Sequence, residues 1–200
     1  MKAKILILSA LIVCLCSTVF AASFGDLTAE HWAYNYITTL TDEGIINGYP
    51  EDNTFRPEAT ISRAEYLKLV VASSLPKTLN IEDSPSSLEH WVGKYLYLAE
   101  TYGVVSKGSW TLENIDMPIT RMEMALIVAK ADMVLKGQKM DSSVEISFND
   151  ADQMSAEEIR FLKHTVARGF INGYPEDNTF RPDNNMTRAE AATIIYRYTK

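Results

Sequence analysis

Apolar residues recur on one helical face in three separate stretches of the chain. In the first, Trp32, Tyr36, Ile37 and Leu40 keep helical spacing, and Gly44 follows where a helix C-terminus is capped. This predicts a helix from about Glu30 to Glu43. The pattern returns with Trp91, Tyr95 and Leu98 ahead of Gly103, and again with Ile159, Leu162 and Val166 ahead of Gly169. Ser155 and Glu158 add a capping box to the third stretch. Each helix gives way to a short apolar pair and then a polar loop.

The first of these loops is repeated almost letter for letter. GIINGYPEDNTFRPE at Gly44 to Glu58 returns as GFINGYPEDNTFRPD at Gly169 to Asp183, with thirteen of fifteen letters unchanged. Asn47-Gly48 and the stretch from Pro50 to Asn53 are turn chemistry, with Tyr49 and Phe55 as the side chains that order the loop. Gly48 and Gly173 read first as turn residues and second as places where a ligand approaches backbone. The acidic tract does not have the spacing of a calcium loop, so neither a metal nor any other cofactor is expected.

After each loop a second helix opens in the same way, at Ser62-Arg63-Ala64-Glu65, Thr120-Arg121-Met122-Glu123 and Thr187-Arg188-Ala189-Glu190. The hydroxyl and the glutamate form a reciprocal capping box. The arginine has no such explanation, because the first helical position is where the dipole disfavours a cation. Two roles fit Arg63, Arg121 and Arg188. One is a salt bridge to a neighbouring unit, for instance to Asp26, Asp83 or Asp150. The other is an anion-binding corner shared with helix N–H groups.

Three units therefore fill the chain after a leader: residues 1–22 as a signal peptide, then 23–75, 76–136 and 137–200. Lys2 and Lys4 precede an apolar run from Ile5 to Phe20 that is short for a membrane span and ends in small residues suited to cleavage. Export follows, with no membrane attachment once the leader is removed. Both cysteines, Cys14 and Cys16, lie in that leader, so the remaining chain holds itself together by packing alone. The apolar share of 46% is sufficient for a packed core. The formal charge is −7, and loss of Lys2 and Lys4 makes it two units more negative. With no basic stripe to offset it, nucleic acid is not a partner. His31, His90 and His164 form no ligand cluster, and no nucleophile, histidine triad or phosphate loop points to an enzyme.

Taken in order, these motifs resemble the surface layer homology (SLH) family. The residues that carry the resemblance in the first unit are Phe24, Asp26, His31-Trp32, Gly44 to Tyr49, Phe55, Pro57 and Ser62 to Glu65. The second unit keeps His90-Trp91 and lacks the Gly-Tyr pair, with Trp110 in the place of Phe55. The third keeps Phe148-Asn149-Asp150 and the full loop, with Ala156-Glu157 where His-Trp would stand.

The resemblance implies a mainly α-helical fold of three helix-loop-helix repeats, set pseudo-threefold about a central helical bundle, with grooves between units. It implies a monomer that binds secondary cell-wall polysaccharide, an acidic and often pyruvylated sugar, at the cell wall or S-layer of a Gram-positive-type bacterium. Other surface proteins are possible partners, and a structural or interaction protein of the cell surface is the alternative function. The glycan-binding residues it implies are Asp26, Trp32, Gly48, Arg63, Asp83, Trp91, Arg121, Asp150, Gly173 and Arg188. By periodicity alone Trp32 and Trp91 belong to the core, whereas the resemblance implies partial exposure at a groove wall. The irregular second and third units leave one or two grooves incomplete, and the first and third units are the better candidates for binding.

Overall fold

The computed structural model describes residues 24–200, and the signal peptide expected over residues 1–22, with both cysteines, lies outside them. Six α-helices carry the fold: α1 (Tyr34–Asp42), α2 (Arg63–Ser74), α3 (Gly93–Thr101), α4 (Arg121–Val134), α5 (Ala156–Ala167) and α6 (Arg188–Thr199). Short 3-10 turns at Ile81–Asp83 and Ala151–Gln153 precede α3 and α5, and no strand longer than an isolated bridge occurs among the described residues. The mainly helical class read from the sequence is the one observed.

Local chemistry starts the inner helices α2, α4 and α6 where the sequence places them. The Ser62, Thr120 and Thr187 hydroxyls each accept the N–H three residues on. In return, one carboxylate oxygen of Glu65, Glu123 and Glu190 accepts the N-cap N–H, at 2.8, 3.0 and 2.9 Å. Ser155 and Glu158 do the same for α5. Helix α1 starts later than the periodicity predicts. The segment before it is spent on turns, with His31 N–H donating to the Thr28 carbonyl and the Ala33 N–H donating to His31 Nδ1.

The inner helices pack on one another as a central bundle. At its entry, Ile61 N–H donates to Met186 O at 3.0 Å, Met186 N–H to Ile119 O at 3.1 Å, and Ile119 N–H to Ile61 O at 3.0 Å. Three residues from three units each donate once and accept once, which closes a threefold ring, and all three side chains are buried. A second tier repeats the symmetry: Arg63, Arg121 and Arg188 N–H donate to the carbonyls of Met117, Asn184 and Ala59. First-turn N–H groups have no partner inside their own helix. Here the entry segment of the next unit supplies one.

The outer helices are lent from unit to unit. Helix α3 lies on α2, α5 on α4 and α1 on α6, so each outer helix covers the inner helix of the preceding unit. Ile37 and Leu40 of α1 are fully buried, and the Tyr36 ring sits 5.0 Å from that of Tyr196 on α6. Burial of side chains this size is worth about 2 kcal/mol each. The contact of α1 with α6 thus joins the first unit to the last.

Candidate functional site

The repeated arginines obey the same cyclic rule. Arg63 Nη2 meets Glu123 Oε1 at 2.7 Å, Arg188 Nη1 meets Glu65 Oε1 at 3.3 Å, and Arg121 Nη1 lies 3.9 Å from Glu190 Oε1. Each arginine reaches the capping glutamate of the next unit, whose other oxygen still holds its own N-cap. The salt-bridge role read from sequence is therefore present, but with a different partner. Asp26 and Asp150 do not serve, because their oxygens accept backbone N–H groups: Phe55 and Arg56 at 2.8 and 2.7 Å, Phe180 and Arg181 at 2.9 and 2.7 Å. Arg56 and Arg181 have φ of 58° and 60°, and the aspartates hold these left-handed residues in place. Among the described residues the Asp83 carboxylate meets only the Asn80 side-chain amide, at 2.9 Å. The second loop has no equivalent conformation for it to hold.

Two of the arginines are also framed by the repeated loops. The Arg188 guanidinium lies 4.9 Å from the centre of the Tyr49 ring and 4.7 Å from that of Phe55, and it donates to the carbonyls of Phe55 and Asn47. Arg121 lies 4.6 and 5.0 Å from Tyr174 and Phe180 and donates to the Asn172 carbonyl. Its side chain is nearly enclosed, which pushes the guanidinium pKa down, while Tyr174 and Glu190 oppose the shift. Its Nε has no hydrogen-bond partner among the described residues. Arg63 differs: no ring lies over it among the described residues, so Trp110 does not frame it as Phe55 frames Arg188. It holds Glu123 through Nε and Nη2 and donates from Nη1 to the Asn114 carbonyl.

Gly48 and Gly173 are required for a reason other than the turn conformation read from sequence. Neither has a positive φ. A Cβ on Gly48 would collide with the Phe24 ring and the Thr54 carbonyl, and one on Gly173 with the Phe148 ring. These glycines let the opening aromatic of the unit lie against its loop.

Trp32 and Trp91 are not core residues. They are 57% and 54% exposed, each beside the imidazole of the preceding histidine. His31 and His90 are in turn held by Glu58 and Asp116, both at 3.1 Å. Each tryptophan closes one side of a cavity. The first groove, about 270 Å³, is lined by Asn47, Gly48 and Tyr49 of the first unit, Trp91 of the second and Arg188 of the third, with Glu65 and Lys68 on its floor helix. The second, about 330 Å³, is lined by Asn172, Gly173 and Tyr174 of the third unit, Trp32 of the first and Arg121 of the second, with Glu190 and Arg197. Every groove thus draws loop, arginine and tryptophan from three different units.

That rule places both irregularities of the sequence in one position. A third groove would combine the second loop, which lacks Gly-Tyr, with Arg63 and with the residue that opens the outer helix of the third unit. Trp32, Trp91 and Glu157 each stand twelve residues before the capping glycine of their helix. Glu157 therefore occupies the tryptophan position, and Arg63 is the arginine without a framing ring among the described residues. One arrangement is degenerate and two are intact. Of the residues named from sequence, Trp91, Gly48 and Arg188 meet in the first groove and Trp32, Gly173 and Arg121 in the second. Arg63 belongs to the degenerate position, and Asp26, Asp83 and Asp150 line neither cavity.

Sequence reasoning missed the second role of Glu65, Glu123 and Glu190, which look like simple caps, and it passed over Lys68 and Arg197. A signal was available for the glutamates. An arginine and a glutamate two positions apart on a helix do not face each other, so each needed a partner elsewhere.

Residues 23–67 and 147–192 match the model of the S-layer homology domain. The chain is 32% identical over 197 residues to S-layer protein EA1 of Bacillus anthracis, covering 94% of this chain and 21% of that protein. It is 30% identical over 183 residues to exoglucanase XynX of Acetivibrio thermocellus, covering 88% of this chain and 16% of that one. Over 67 residues it is 43% identical to the cellulosome-anchoring protein of the same organism, covering 32% of this chain and 15% of its relative. The chain therefore spans about a fifth or less of these relatives. Its middle segment lies outside both matched stretches, although it supplies one third of the hydrogen-bonded ring.

Proposed function

We propose that the chain is a non-covalent cell-wall anchoring module, with the middle segment acting as a third SLH motif, and that it binds an acidic secondary cell-wall polysaccharide through its two intact grooves. The observation that carries this reading is the recurrence, in both grooves, of an exposed tryptophan opposite a ring-framed arginine. An exposed indole is a stacking surface for the apolar face of a sugar ring. A guanidinium held in place by carbonyls and rings is pre-organised for a carboxylate. A pyruvylated sugar of a Gram-positive-type wall has both features. The names of the relatives, an S-layer protein and a cellulosome-anchoring protein, agree with a module that holds proteins at the cell surface.

Co-sedimentation with purified wall polysaccharide tests this. Trp32→Ala with Trp91→Ala removes both platforms from exposed positions and leaves the core intact. Loss of retention in a variant that unfolds at the wild-type denaturant concentration is the expected result. Undiminished retention would rule the grooves out.

A further inference from the structure

Each framed arginine shares its charge with the glutamate of its own groove, so its remaining N–H groups can orient a carboxylate while the pair adds no net charge to the groove. The first groove contains Glu65 and Arg188, and the second Glu190 and Arg121. What makes each groove net positive by one charge, inside a protein of formal charge −7, is a further cation: Lys68 in the first and Arg197 in the second. Neither makes a hydrogen bond or ion pair among the described residues.

The two cations stand at different heights. Counted from the arginine that opens each inner helix, Lys68 is five residues on and Arg197 nine. A difference of four residues is the same helix face one turn later, about 6 Å along the groove floor. Thr193 lines the second groove at the helix position where the first has Lys68. Ala72 is the counterpart of Arg197 on the first inner helix, so no cation stands at that height beside the first groove. At the degenerate position, Leu126 replaces Lys68, and Lys130, the counterpart of Arg197, is drawn over the Phe161 ring at 5.2 Å.

We propose that Lys68 and Arg197 are the specificity-determining cations of the two grooves, and that their one-turn offset makes the grooves accept acidic saccharides whose negative group sits at different distances from the stacked ring. This rests on the reading of the grooves as acidic-glycan sites. On this account the grooves are unlike sites, and a long acidic polysaccharide would be gripped in two registers.

Calorimetric titration with a synthetic disaccharide carrying a pyruvyl ketal carboxylate, and with its methyl ester, tests the proposal in the full chain. NMR of the Trp91 and Trp32 indoles reports each groove separately. Lys68→Gln is expected to weaken acid binding at the Trp91 groove alone, and Arg197→Gln at the Trp32 groove alone, by about fivefold each. The ester should bind weakly in all forms. Lys68→Thr with Ala72→Arg should give the first groove the concentration dependence of the second. Wild-type binding of the acid that neither glutamine variant alters, or equal loss at both grooves from either one, would overturn the proposal and leave the anchoring function standing. No indole response to the acid or to wall polysaccharide in the wild type would overturn both.

Discussion

Arg188 and Glu65 lie 123 residues apart in the chain and meet at 3.3 Å. The same carboxylate holds the N-cap of α2, so one glutamate both starts its own helix and fixes the arginine of another unit. Repeated around the ring, this makes the order of the units part of the fold.

Arg63 separates the structural use of this link from its use in binding. It is partly buried, paired with Glu123, and outside both grooves. Arg63→Ala is expected to lower unfolding stability by about 2–3 kcal/mol, since it leaves Glu123 without its partner. It should leave retention by wall polysaccharide unchanged, measured at a temperature where the variant is folded.

Gly48→Ala and Gly173→Ala are each expected to cost about 1–3 kcal/mol in urea unfolding, because Phe24 or Phe148 must move. The displaced ring should appear as a change in near-ultraviolet circular dichroism. A turn-based role would instead predict a small effect at these two positions, whose φ values are ordinary.

The aspartates provide an internal comparison. Asp150→Ala removes the acceptor for two N–H groups in a buried setting and should destabilise by about 2 kcal/mol. Asp83→Ala, which loses one exposed contact, should fall within about 0.5 kcal/mol of wild type. Equal effects in denaturant unfolding would refute the assignment of Asp150 as the residue that holds its loop.

What was legible in the sequence was what is local. The capping boxes at Ser62, Thr120 and Thr187 span three residues, and Gly44, Gly103 and Gly169 end their helices with positive φ as their positions require. Links across the ring were not legible. Glu123 is 60 residues from Arg63, and no periodicity states that α3 will cover α2. Trp32 was misplaced by pattern for a related reason. It fits the apolar face of α1, but the helix begins two residues after it, so the turn directs the indole into the groove. The convergence of the defective loop and Glu157 on one position depends on that cyclic packing and appears only in three dimensions.

The loops set the expected response to acid. The Thr54 hydroxyl, and then the Arg56 guanidinium, hold the Asp52 carboxyl below its ordinary value; Thr179 and Arg181 do the same for Asp177. A carboxyl lowered in the folded state contributes stability above its unfolded value of about 3.9, and this is lost as pH falls through the lower folded value. Tyrosine signals from Tyr49 and Tyr174 should therefore be constant from pH 7 to 5 and change only below about pH 4. A transition centred between pH 5 and 7 would show that another group controls the loops.

The three tryptophans allow the central claim to be tested in one titration. Trp32 and Trp91 are exposed at the two grooves, whereas Trp110 is 8% exposed and lines neither. In a nitrogen-15 correlation spectrum, adding wall polysaccharide should shift or broaden the indole signals of Trp32 and Trp91 and leave that of Trp110 in place. Movement of Trp110 alone, or bound polysaccharide with none of the three perturbed, would contradict binding in grooves assembled from three units.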